Sequence, residues 1–189
     1  MDYVLPLIRK YEIAESTMAF EFKKPKKFTF IAGQTIDIGV GTMVYTFSIA
    51  AAPDEQVLRI ATRMRKESKF KQALLKAKKV RMQGPSGDFV LPKNTKKKII
   101  LIAGGIGITP FYSMIKFKSS HQISLFYKNS SLAKTAFRDK LEWLNELPID
   151  KKASYYIAGP PGFVAKYRAI LDEAGINEDL VKTEEFSGY

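Results

Sequence analysis

From residue 11 to residue 91 apolar and polar positions alternate in short runs: Met18-Ala19-Phe20-Glu21-Phe22, Phe28-Thr29-Phe30, Thr35-Ile36-Asp37-Ile38, Leu58-Arg59-Ile60-Ala61-Thr62 and Val80-Arg81-Met82. Lys/Pro, Gly and Ala-Pro-Asp turn signals separate them. A period of two is that of half-buried strands, and strands this short and closely spaced predict an antiparallel barrel or sandwich. One helix interrupts them, from Ser68 to Lys79, with Ser68 as N-cap and Phe70, Leu74 and Leu75 on one side. After Pro92 the period changes. The pattern predicts a strand over 99–103 and a helix over 110–118, then a strand over 123–128 and a helix from about Thr135, where Phe137, Leu141 and Leu144 recur at i, i+4 and i+7. A strand over 153–158, a helix ending before Gly175 and a last strand within Leu180 to Phe186 complete the chain. Three strand–helix units in a row predict a parallel α/β sheet with right-handed crossovers, and the lysine-rich stretch Pro92 to Lys98 is the boundary between the two regimes.

Two of the apolar strands run straight into glycine/proline turns. Ile99-Ile100-Leu101-Ile102-Ala103 meets Gly104-Gly105-Ile106-Gly107-Ile108-Thr109-Pro110, and Tyr155-Tyr156-Ile157-Ala158 meets Gly159-Pro160-Pro161-Gly162. Glycine lets backbone approach a ligand, and the free N–H groups and positive dipole end of the helix that follows favour an anion. In one parallel sheet both turns fall at the same carboxyl edge, where open α/β sheets bind ligands. The pair therefore predicts a nucleotide-phosphate site.

Composition narrows the chemistry. The 189 residues contain no cysteine, which excludes a disulfide scaffold, a thiolate-held iron–sulfur cluster and a Cys nucleophile. Electrons handled by this chain must travel on a bound organic cofactor or a separate protein. No apolar h-region opens the chain and no apolar run is long enough to span a bilayer, so a cytoplasmic protein is expected. Lys and Arg outnumber Asp and Glu by 31 to 19, a formal net charge of +12, with clusters at Lys23, Lys24, Lys26 and Lys27, at Lys76, Lys78 and Lys79, and at Lys96, Lys97 and Lys98. Such runs serve either as a surface for an acidic partner or as a solvated face. No nucleic-acid reader motif accompanies them. A single histidine, His121, cannot make a metal site, and Trp143 beside Leu144 reads as packing.

Six motifs occur in a fixed order: Ala32-Gly33-Gln34, Tyr45-Thr46-Phe47-Ser48-Ile49-Ala50, Gly84-Pro85-Ser86-Gly87-Asp88-Phe89, Gly104 to Pro110, Ala158-Gly159-Pro160-Pro161 and Glu185-Phe186. Together they resemble the ferredoxin–NADP reductase family of flavin- and nicotinamide-dependent electron-transfer modules, over roughly residue 11 to the C-terminus. The resemblance implies a Greek-key-type flavin-binding barrel over residues 1–92 and a Rossmann-like nucleotide-binding domain over residues 98–189.

In that family the barrel holds flavin through an Arg-x-Tyr-Ser/Thr segment, which here reads Tyr45-Thr46-Phe47-Ser48. By resemblance Ser48 sits at the hydride-receiving edge of the flavin and is the catalytic candidate, and Phe47 takes the place of the aromatic that packs on the ring system. Tyr45 stands where an arginine normally pairs with flavin phosphate, and a neutral phenol cannot replace a bidentate cation. Arg63 or Arg65 is expected to make up the charge, within the segment Ala61-Thr62-Arg63-Met64-Arg65 that is similar to the family's second flavin-contacting strand. Ser68 and the helix start behind it match the pyrophosphate turn, which favours FAD over FMN.

The resemblance places the nicotinamide cofactor on Gly105, Gly107, Thr109 and Pro110, with Thr109 capping the helix, and on Gly159 and Pro160. Ala158 stands where many members carry a cysteine. Lys128, at the end of the second strand beside two serines and no acidic residue, favours NADPH while leaving NADH open. Phe186 and Tyr189 are both candidates for the aromatic cap over the flavin. Two functions are compatible with this reading. One is a reductase that takes hydride from NAD(P)H onto FAD and passes electrons to a separate acidic carrier such as ferredoxin or flavodoxin. The other is a non-catalytic or electron-chain binding module that kept the fold and lost flavin.

Overall fold

The computed structural model describes residues 2–93, 97–117, 121–138 and 141–186. Its first sheet is antiparallel throughout: β1 (Tyr3–Ala14), β2 (Thr17–Lys23), β3 (Thr35–Val40), β4 (Met43–Ser48), β5 (Val57–Arg63) and β6 (Lys79–Ser86), in the spatial order β4-β3-β6-β1-β2-β5. The order departs from the sequence order in the Greek-key manner, and the edge strands β4 and β5 curl towards one another. Alternation sets the register. Phe20 lies opposite Ile60, Phe22 opposite Leu58 and Ile38 opposite Met82, all on the buried face. Helix α1 (Lys69–Lys76) closes one end of this core with Phe70 and Leu74, and Ser68 Oγ accepts from the Lys71 N–H at 3.3 Å, capping it.

The segment Phe28-Thr29-Phe30 corrects the sequence expectation of a strand. It follows a turn in which the Phe28 N–H donates to Pro25 C=O, and it joins neither sheet, although Phe28 and Phe30 are both buried in the barrel core. Period two records which side chains face the core. It does not say whether a neighbouring backbone is available to pair with.

The second sheet is parallel: β7 (Ile99–Gly104), β8 (Ile123–Lys128), β9 (Ser154–Gly159) and β10 (Val181–Glu185), in the order β10-β9-β7-β8. Every residue of β7 is buried, as its unbroken apolar run requires of a central strand covered on both faces. Helix α2 (Ile108–Lys116) covers one face and α3 (Pro161–Glu173) the other. The chain order reverses between β7 and β9, which puts the ligand-binding crevice of this architecture at their carboxyl ends.

Among the described residues no α-helix lies between β8 and β9, against the expectation from Phe137, Leu141 and Leu144. Leu132–Lys134 form a short 3-10 turn, Phe137 takes a left-handed φ of 58°, and Leu144 makes an isolated parallel bridge with Phe126. Two of the three apolar positions are buried, and Leu144 stays 42% exposed. Phe137 stacks on Tyr112 of α2 with ring centroids 4.1 Å apart, and Leu141 is buried in the same core.

The two sheets share one hydrophobic core, in which Ala32, Ala50, Ala61 and Phe89 of the antiparallel half pack with Phe111, Met114 and Tyr156 of the parallel half. Ser113 Oγ donates to Ala51 C=O at 2.6 Å and Tyr156 Oη to Val90 C=O at 3.1 Å. Buried Arg59 adds a polar tie: it pairs with Glu21 at 2.8 Å and Glu55 at 3.0 Å and lies 5.8 Å from the Tyr112 ring. A seam this apolar and this well paired holds the cleft above it at a fixed width.

Candidate functional site

A cavity of about 620 Å³ opens between the barrel and the carboxyl edge of the parallel sheet. β4 is an edge strand, so Tyr45, Thr46, Phe47 and Ser48 all reach the cavity. β5 contributes Ala61 and Thr62, the start of α1 contributes Ser68 and Lys71, and Thr109, Glu184, Glu185 and Phe186 close it from the parallel half. The aromatic wall is continuous. Phe47 stacks on Phe70 at 5.9 Å and Tyr45 lies against the same ring at 4.5 Å, leaving Tyr45 54% exposed. Of the residues singled out in sequence, Tyr45, Thr46, Phe47, Ser48, Thr62, Ser68, Thr109 and Phe186 are thus brought together.

The cation of the cavity is a residue that sequence reasoning missed. Arg63 and Met64 do not line it. Arg63 offers its carbonyl to Lys71 Nζ at 2.8 Å, and the Met64 N–H donates to Ser16 C=O at 2.7 Å. Lys71 does line it, at 7% exposure, and burial first, then the charges of Arg65 and Arg63, push its ammonium below the ordinary lysine range. A buried cation among like charges is stabilised by an anion. In sequence Lys71 is one lysine among many, because only the helix cap tells which way its side chain turns.

Ser48 Oγ donates to Glu184 Oε2 at 3.3 Å, and Ser48 is 3% exposed. Burial pushes the Glu184 carboxyl up to about 7, with the Ser48 hydrogen bond pulling it down and the Asp88 charge adding to the rise. The sequence pattern pointed at Glu185-Phe186. Strand register decides otherwise: Glu184 pairs with Ala158 and Glu185 with Gly159, so the two carboxylates leave the strand on opposite faces and it is Glu184 that meets Ser48.

The glycines of the two turns lie side by side at the sheet edge and, unlike Thr109, are not among the residues that line this cavity. Gly105 has φ +57° and open space where a β-carbon would stand, so it is the residue free for close approach. Gly107 instead packs backbone on backbone: a β-carbon there would meet Ala158 O at 2.2 Å. Gly159 lies against Gly104 and the Phe163 ring in the same way. Thr109 does not cap α2, which corrects the expectation. Gly107 is the N-cap with no side-chain bond, and the Thr109 hydroxyl donates back to Ile106 C=O at 3.1 Å. Pro110 is buried within the first turn of α2, and Pro160 precedes α3 with its carbonyl accepting from the Phe163 and Val164 N–H groups.

Lys128 ends β8 exposed, with Nζ 3.4 Å from Asn145 O and 5.2 Å from the Phe126 ring centroid. His121 pairs through Nε2 with Pro92 O at 2.9 Å, and Trp143 packs edge-on against Tyr127 at 5.9 Å. The Phe186 N–H donates to Gly159 C=O at 3.0 Å, extending the pairing of β10 and fixing this ring at the cavity rim. Tyr189, the other candidate for the aromatic cap, lies outside the described residues. Among the described residues no group of three His, Cys, Asp or Glu side chains forms a metal site, and no helix is long and apolar enough to cross a membrane.

No family model matches the chain. It is 29% identical to the flavohemoprotein of Bacillus subtilis (strain 168), over 83% of this chain and 51% of that protein. The chain spans about half the length of the curated relatives it matches. Its fold superposes on the flavohem-like FAD/NAD-binding domain of a Vibrio cholerae nitric oxide dioxygenase with a TM-score of 0.82 at 17% identity, covering 97% of this chain and 98% of that one. A ferredoxin–NADP+ reductase from Plasmodium falciparum superposes with a TM-score of 0.84 at 15% identity, over 98% of this chain and 96% of that one.

Proposed function

We propose that this chain, whose fold is that of the ferredoxin–NADP reductase-like FAD/NAD-binding domains, is an NAD(P)H-dependent flavoprotein reductase that holds FAD in residues 1–92 and the nicotinamide nucleotide in residues 98–189. The observation that carries the reading is the cavity itself. One space of about 620 Å³ joins an aromatic wall, a buried lysine and a serine–glutamate pair to the carboxyl edge of a parallel sheet. A flat conjugated ring with an anionic tail fits that donor set: Phe47 and Tyr45 offer stacking area, while Lys71 and the capped start of α1 offer positive charge. FAD bound there supplies the hydride-accepting ring that the protein lacks. The side chains then bind and orient. Ser48 and Glu184 hold one shared hydrogen at the inner wall, Phe186 screens the rim from water, and the turns at Gly105 and Gly159 hold the nucleotide diphosphate through backbone N–H groups. No acid–base residue is required for hydride transfer itself.

Electrons leave to a separate acceptor. The lysine clusters and the net charge of +12 support an acidic electron-carrier protein. The second reading, a flavin-free binding module, is favoured by Tyr45 in the arginine position. Colour separates them. Protein purified with added FAD should show an oxidised-flavin spectrum that bleaches anaerobically with NADH or NADPH, and protein that takes up no flavin sinks the reductase reading.

Because Lys71 is the cavity's buried cation, Lys71→Met should weaken FAD by tenfold or more, about the strength of one charge-assisted hydrogen bond, and leave riboflavin within twofold. Calorimetric titration of both flavins checks this. Equal losses for the two would make Lys71 a structural residue.

A further inference from the structure

We infer that Tyr127 is the positioning residue of the nicotinamide nucleotide site, its hydroxyl locking the glycine turn after β7 to the segment after β8 so that both face a single dinucleotide. This rests on the reading above of residues 98–189 as the nucleotide-binding part. Tyr127 is the last residue but one of β8 and pairs with Ala103, so its side chain reaches past the end of β7. It is 5% exposed. Its hydroxyl donates to Gly105 C=O at 3.0 Å and accepts from the Ala136 N–H at 3.2 Å.

Both partners lie in the turns that follow their strands: Gly105 opens the 3-10 turn Gly105–Gly107, and Ala136 follows the 3-10 turn Leu132–Lys134. Gly105 sits at φ +57° in the turn with open space above it, and Ala136 precedes Phe137, at φ +58°. The Gly105 C=O also accepts from the Ile108 N–H within its own turn, and the Tyr127 hydroxyl adds the bond that ties this turn to the buried Ala136 N–H beyond β8. One hydroxyl therefore fixes the separation of two loops at neighbouring strand ends. Burial pushes the phenol well above its ordinary range, so it remains a donor to Gly105 at any working pH. The ring has a second role. Its face-to-edge contact with Trp143, the only tryptophan of the chain, continues without the hydroxyl.

A ligand that spans both loops needs their spacing, whereas a fragment that touches one does not. The test uses FAD-reconstituted protein and Tyr127→Phe, which keeps the ring. Calorimetric titration should show NADP+ and NAD+ bound about tenfold more weakly by the variant, with 5′-AMP and 2′-phospho-AMP within twofold of the wild type. The KM for NAD(P)H should rise with kcat retained, and the flavin spectrum and Trp143 emission maximum should not move. Unchanged dinucleotide affinity overturns the inference while leaving the reductase reading intact. So does an equal loss for dinucleotide and fragment, or a shifted Trp143 emission, since each marks general damage. Wild-type protein that binds FAD but no dinucleotide overturns the reading of residues 98–189 and the inference with it.

Discussion

Gly107→Ala should unfold the nucleotide edge of the parallel sheet, lowering stability by about 3 kcal/mol and abolishing measurable NAD(P)H binding. The added β-carbon would sit 2.2 Å from Ala158 O and 2.5 Å from Ala158 C, both backbone atoms of a central strand. Neither can rotate away as a side chain would. The turn after β7 must separate from β9, and overpacking a close-packed backbone contact costs at the upper end of the usual range. Gly105→Ala is the internal comparison. There the β-carbon meets nothing within 4 Å, and only the left-handed φ of 57° opposes it, at about 1 kcal/mol. Thermal unfolding of both variants, followed by NADPH titration, separates the causes. If Gly107→Ala melts no lower than Gly105→Ala, the two turns do not press on each other as described.

Ser48→Ala should slow single-turnover reduction of the flavin by NAD(P)H tenfold to a hundredfold while flavin affinity falls far less, as expected for a hydrogen bond that matters most in the transition state. The pH dependence carries the sign. The Glu184 carboxyl is raised from 4.5 to about 7, so below pH 7 it is protonated and acts as the donor of the pair. The Ser48 hydrogen is then free to turn into the cavity. Above pH 7 the carboxylate takes that hydrogen for itself, at 3.3 Å. The wild-type reduction rate should therefore fall as pH rises through about 7, and Glu184→Gln should remove the step. Stability follows the same proton: the folded state holds it more tightly than the unfolded chain, so this contribution is full below about 4.5 and is lost as pH rises through about 7. A rate step that survives Glu184→Gln assigns the titration to another group.

Much of the architecture was legible because local rules and tertiary packing agree. Unbroken apolar runs ending in glycine, as at Ile99 to Gly104 and Tyr155 to Gly159, specify buried parallel strands wherever they occur, and they gave the sheet edge on which the nucleotide site is proposed. The segment Tyr45 to Ser48 was singled out by resemblance, not by its apolar pattern, which does not alternate along β4. The failures share a cause. Phe28 to Phe30 and Phe137 to Leu144 have the apolar spacing of a strand and a helix, yet Phe28 packs on Tyr3 outside any sheet, Phe137 packs on Tyr112 with a left-handed φ, and Leu144 stays exposed in a bridge to Phe126.

By itself the sequence determined which segments are buried and in what order they come, because burial is written residue by residue in the hydrophobic pattern. The tertiary structure alone decided which polar groups meet in the cavity. Lys71 faces it because Ser68 caps α1, Glu184 and not its neighbour Glu185 meets Ser48 because of its place in the register of β10 on β9, and Tyr127 reaches Gly105 because β8 lies beside β7. Each of these depends on a partner strand or helix distant in the chain, and a one-residue shift in any of them would present a different side chain.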